Sequence, residues 1–142
     1  MYSLKDVYDA FLGKMLEDEW ANWTQAEIDA DWKTLYNSAI PWFKFPRVSF
    51  ETDASGNFTD ELMSNDEIQI IATYMKCEWL NRTIMTWENV KPLYEERDFS
   101  QGNLLDSFRL LLKQEKSNGA KLESNYYRSV SGKPYDYSNF TK

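Results

Sequence analysis

The side chains able to do chemistry are few in this sequence, and they are badly placed for it. A serine or cysteine nucleophile needs a base to take its proton, and histidine is the usual one. The chain contains no histidine. Lysine or a carboxylate would have to serve instead, and no Ser-x-x-Lys motif occurs. The one cysteine, Cys77, falls on an apolar helix face; there is no histidine to activate it and Lys76 and Arg82 lie on other faces, so it reads as a small core residue. Carboxylates come in runs: Glu17-Asp18-Glu19, the pair Asp29 and Asp31, and Glu95-Glu96 with Asp98. A glycosidase needs two carboxylates across a cleft from each other; these are neighbours in sequence, flanked by polar residues, and read as solvated faces. No Cys/His cluster offers a zinc site. Asp53-Ala54-Ser55-Gly56-Asn57 resembles a calcium loop only in outline, because the later acidic ligand is missing. The five glycines form neither a dinucleotide fingerprint nor a phosphate loop. No catalytic, cofactor-binding or metal-ligating residue is assigned, no cofactor is expected, and an enzyme is the poor reading.

What must be explained is therefore assembly. A length of 142 residues fits one domain with a core of its own. Hydrophobic residues make up 42% and aromatic residues 16%, too apolar for a disordered chain. The aromatic load suggests that some of it serves contacts with other chains. A single cysteine rules out an internal disulfide. The net charge of −7 disfavours a protein built to grip phosphate backbones, and it suits a surface from which DNA is repelled. No apolar run approaches the roughly 18 residues of a membrane span, so no membrane partner is expected. The opening residues, interrupted by charges, do not read as a signal peptide, and a cytoplasm is the expected place of synthesis.

The first helix should start at Ser3, with Asp6 completing a capping box. Leu4, Val7, Tyr8, Phe11, Leu12, Met15 and Leu16 then follow on one stripe. A second capping box, Thr24 with Glu27, opens a helix carrying Ile28, Trp32, Leu35, Tyr36 and Ala39, which Pro41 closes. Asp29 and Asp31 should face water. Between residues 41 and 62, Phe43/Phe45 and Val48/Phe50 alternate with the period of a strand, and Pro46 bends it. A short β-hairpin or an extended arm is expected there. A third helix begins at Ser64, with Glu67 as its capping partner. At 100° per residue, Ile68, Ile71, Ala72, Met75 and Trp79 lie on one face, and Ile70, Tyr74, Cys77, Leu80 and Ile84 on the other. Such a helix either forms the centre of the domain or offers its second face to another subunit. Trp87 to Asp98 reads as a polar connection. The fourth helix, capped by Asp98 or Ser100, carries Leu104, Phe108, Leu111, Leu112, Leu122 and Tyr126. Asn118-Gly119 could end it, or it could run on and project from the body.

Charge is unevenly spread. Residues 1–64 hold five basic against twelve acidic residues, a net of −7. From Ser117 onward there are four basic against two acidic, a net of +2. The last stretch, with Tyr135, Tyr137 and Phe140, is either a frayed end or a segment that lies on a neighbour. The fold class expected is mainly α: a bundle of about four helices, with the hairpin or arm at 41–62 inside a domain spanning 1–129, and an extended C-terminal tail at 130–142.

One pattern spans most of the chain. It comprises SLKDVYDAFLGKM, the arm entry Ala39-Ile40-Pro41-Trp42-Phe43, NFTDELMSNDEIQIIATYMKCEWLNRTI, DFSQGNLLDSFRLLLKQEK, and NYYRSVSGKPYDYSNF. It resembles the small head–tail connector (neck, or adaptor) proteins of tailed bacteriophages, most closely over Phe58 to Leu80 and at Asp98-Phe99-Ser100. These motifs are structural, and they are more specific as a set than singly. The resemblance implies a virion protein of the neck, present in the host cytoplasm during assembly. It implies a homo-oligomer, typically a dodecameric ring, beneath the portal protein. Such a ring extends the DNA channel, lets DNA pass through its lumen without specific binding, and docks the next neck or tail-completion protein. The residues proposed to meet other subunits or partners are Trp42, Phe43, Phe45, Tyr74, Cys77, Tyr126, Tyr127, Tyr135, Tyr137 and Phe140. The alternative reading is a small acidic binding protein that mimics DNA, cued by the charge and the Glu17-Asp18-Glu19 run. Its high aromatic content argues against it.

Overall fold

A computed structural model describes residues 2–15, 20–90, 99–130 and 133–134. Helix α1 spans Leu4–Gly13 and α2 Gln25–Ala39; a single 3-10 turn, Ile40–Trp42, follows, and then α3 Asn65–Val90 and α4 Phe99–Tyr127. The mainly helical, four-helix reading holds. Among the described residues the only strands are Ser129–Val130 (β1) and Lys133–Pro134 (β2), a minimal antiparallel pair.

Both N-terminal caps form as their sequences dictate. The Asp6 carboxylate accepts the Ser3 backbone N–H at 2.8 Å. The Thr24 hydroxyl accepts from the Glu27 amide, and the Glu27 carboxylate accepts from the Thr24 amide, which satisfies donors that a helix start leaves open. At α3, Glu67 accepts from both the amide and the hydroxyl of Ser64.

Helix α3 is the axis of the molecule. It packs against α1, α2 and α4, and both of its apolar faces are buried, Ile68, Ile71, Met75 and Trp79 on one and Ile70, Tyr74, Cys77 and Leu80 on the other. The all-round apolar pattern is thus that of a central helix, and the second face is covered by α4 of the same chain. Helix α3 also runs on to Val90, past the polar start of what reads as a connection at Trp87. The remainder, with Glu95, Glu96 and Asp98, lies outside the described residues.

Helix α4 neither stops at Gly119 nor leaves the body. It continues to Tyr127 and lies along α3. Gly119 explains why. It is buried, and a Cβ placed on it would stand 2.6 Å from Cε1 of Tyr74. Here glycine removes a side chain so that a tyrosine ring can lie against the helix backbone; it does not break the helix.

The expected hairpin at 41–62 is not formed. Pairing there is limited to isolated bridges, Thr52 with Phe58 and Ser3 with Asn57. Two causes are visible. Residues two apart on a strand share a face, yet Phe43 is buried while Phe45 is 73% exposed, so the chain bends at Phe45-Pro46. Side chains also take up backbone donors that a ladder would have used. Asp60 accepts from the Ser49 and Leu62 amides, and Asp53 from the Ser55 and Asn57 amides. The turn closes at Gly56, whose φ of +84° lies in the left-handed region. The arm instead anchors α1: Leu4 N–H donates to Gly56 O, and Phe58 N–H to Tyr2 O.

Candidate interaction surface

Two internal aromatic clusters stand out among the described residues. The first joins Tyr8 and Phe11 of α1, Trp20, Trp32 of α2, Trp79 of α3 and Phe108 of α4, with ring centroids 5.5 to 6.5 Å apart. All six of these pairs are tilted or edge-on, the arrangement ring quadrupoles favour. Trp32 Nε1 is buried and finds no hydrogen-bond acceptor; its ring stands edge-on to Phe11 and Trp20. Asp31, expected to face water, is instead a tie between α2 and α3. It accepts from Trp20 Nε1 at 2.7 Å and pairs with the Arg82 guanidinium through both oxygens. Burial opposes ionisation of Asp31, but the Arg82 and Trp20 hydrogen bonds and the guanidinium charge outweigh it and hold the carboxyl below the usual range. Asp29 does remain exposed.

The second cluster fastens the arm to the end of α4. Phe43 meets Phe50, Tyr126 and Tyr127, and Phe50 meets Phe58. Arg47 is the clasp. Its guanidinium sits 4.3 Å from the Tyr126 ring centre and donates to the carbonyl oxygens of Tyr126 and Ser129. The Arg47 amide donates to the Tyr126 hydroxyl, which in turn donates to Glu67 at 3.0 Å. Glu123, buried on α4, accepts from the hydroxyls of Tyr74 and Tyr127. Two buried carboxylates are thereby satisfied by tyrosine hydroxyls, which spares the chain the cost of an unpaired buried charge. Burial first, then interaction with Glu123, raises the Tyr74 pKa well above its ordinary value. Burial likewise pushes Tyr126 up to about 12.

The residues proposed from sequence to meet other chains separate cleanly. Phe43, Tyr74, Cys77 and Tyr126 are buried inside the chain and present no surface in this fold. Burial pushes the Cys77 thiol up to about 12, so it is an inert core group. Trp42 is half-buried: its ring stacks on Tyr74, its Nε1 donates to Glu78, and the Lys116 ammonium lies over it. Phe45 and Tyr127 remain exposed and lie together, with ring centroids 6.0 Å apart. The Phe45 amide donates to the Tyr127 hydroxyl, which pins the bend. Leu62, at the other end of the arm, is 77% exposed. Tyr135, Tyr137 and Phe140 lie outside the described residues. The start of the segment read as an extended tail folds back as β1 and β2.

Sequence reading missed Glu67 and Glu123 as acceptors for tyrosines, and Arg47 as the clasp. A glutamate on the apolar stripe of each helix was the available signal. Among the described residues no group of three or more His, Cys, Asp or Glu is placed to hold a metal, and no helix is long and apolar enough to cross a membrane. The architecture is a four-helix unit with an aromatic arm clasped to its last helix. No family of proteins, no curated protein and no solved structure matches the chain.

Proposed function

We propose that this chain is a structural protein of a tailed-phage virion, a head–tail connector whose copies form a ring beneath the portal. The ring extends the DNA channel and receives the next neck or tail component. The observation that carries this reading is the arm tip. Phe45 is largely exposed, yet its backbone is fixed by Tyr127 and by the Arg47 clasp. A lone exposed hydrophobic side chain is ordinary, but Phe45 lies beside the exposed Tyr127 ring with its backbone amide held, so the two rings form a preformed aromatic patch. In an assembly it is an anchor that enters a neighbour with little ordering entropy left to lose.

Two further features support the proposal. The segments that resemble connector proteins form α1, the arm, α3 and α4, which pack into one helical body. Its net charge of −7 suits a channel wall along which DNA must slide. The test is genetic. A phage that carries this gene, deprived of it, should accumulate DNA-filled heads that join no tails, and the wild-type gene supplied in trans should restore them. Normal tailed particles from the deletion would overturn the proposal.

A further inference from the structure

The end of α1 and the adjoining faces of α3 and α4 enclose an open cleft of about 440 Å³. Three lysines reach it from three separate elements: Lys14 just after α1, Lys76 on α3 and Lys121 on α4. Thr73 and Asn118 add neutral hydrogen-bonding groups, and Glu115 is the one carboxylate. Glu115 is engaged with Lys76 at 3.3 Å. Lys14 and Lys121 have no carboxylate partner among the described residues. The residues that line the cleft thus carry a local excess of two positive charges, in a chain of net charge −7.

We propose that this cleft receives exposed carboxylates from the N-terminal half of a second copy of the chain, an inference that rests on the connector reading. Charge complementarity selects the occupant. Residues 1–64 carry the whole of a net −7, and α2 presents Glu27 and Asp29 to solvent. No residue of α2 lines the cleft, so the two surfaces lie at different places on one chain. A contact between two different patches of identical subunits is head-to-tail, the kind that closes into rings. It also offsets the mutual repulsion of strongly acidic copies brought side by side.

The test compares assembly of full-length chains by sedimentation, alone and with portal protein. Reversing the cleft with Lys14→Glu and Lys121→Glu should weaken assembly by at least about tenfold, and wild-type assembly should weaken as salt rises. Reversing the donor side with Asp29→Lys, which leaves the Thr24–Glu27 cap of α2 intact, should weaken assembly in the same direction. Mixing the two reversed chains should restore assembly, because each then complements the other. Lys121→Gln, at an exposed position, keeps the fold and should give a smaller weakening, so the proposal stays testable if the double reversal misfolds. Cleft-reversed chains that fold and assemble like wild type would overturn the inference and leave the connector reading standing. A wild-type chain that never assembles, even with portal, would overturn both.

Discussion

Gly119→Ala is the most informative single substitution. In an ordinary helix interior, alanine is better than glycine by roughly 0.5–1 kcal/mol, because glycine loses more backbone entropy on folding. Position 119 is not ordinary. An alanine Cβ would stand 2.6 Å from Cε1 and 3.0 Å from Cζ of Tyr74. The ring cannot step aside freely, since it stacks on Trp42 at 5.4 Å and its hydroxyl is held by Glu123. Overpacking of this kind costs about 1–3 kcal/mol, which exceeds the propensity gain. The net should be a loss of about 0.5–2 kcal/mol. Urea unfolding followed by circular dichroism reads this as a lower midpoint at unchanged slope. The same change in a Tyr74→Leu background should lose its penalty, with a coupling of about 1 kcal/mol or more. If Gly119→Ala stabilises the wild-type chain by the full propensity gain, the close approach of α3 and α4 is wrong, and with it the burial of the second face of α3.

Three other outcomes follow from the same packing. Asp31 has its pKa depressed in the folded state, so the stability it lends is present above its unfolded value of about 3.8 and is lost as pH falls through the lower folded value. The wild type should therefore lose stability on acidification below about pH 4, and Asp31→Asn should be less stable at neutral pH with a flatter acid limb; identical acid limbs would remove the Arg82 tie from the account. Tyr36, Tyr74 and Tyr126 have raised pKa values, mainly through burial, so their contribution is whole below about pH 10 and is lost as pH rises through the folded values. An ultraviolet titration should show exposed tyrosines ionising first and Tyr126 near 12, whereas a single transition near the ordinary value would contradict the buried network. Cys77 should resist thiol reagents in the native state and react at once in urea, and Cys77→Asp should unfold the monomer; rapid native labelling would show that α4 does not cover that face.

The elements that local chemistry specifies were legible. Ser3 with Asp6 and Thr24 with Glu27 are caps written within four residues of each other, and they form as read. The all-round apolar pattern of α3 correctly marked a helix covered on both faces, although the sequence left open whether its own chain or a neighbour supplies the cover. What remained illegible depended on distant partners. Asp31 looks like a surface acid until α3 brings Arg82 against it. Gly119 looks like a stop until Tyr74 is seen lying on it. The hairpin was inferred from a period of two, but Asp60 and Asp53 supply the acceptors that a second strand would have provided. Of the proposed contact residues, aromatic type alone could not separate Phe45, left in water, from Phe43, two residues earlier and buried.

The central claim is that this chain acts as one of many copies. Its most direct test is the mass of the purified protein in solution, measured by light scattering over a range of concentrations, alone and mixed with a phage portal protein. The account predicts a large closed oligomer, formed either by the chain itself or on the portal. A monomer at every concentration, indifferent to the portal, would contradict it and favour a small acidic protein that competes with DNA for a basic partner.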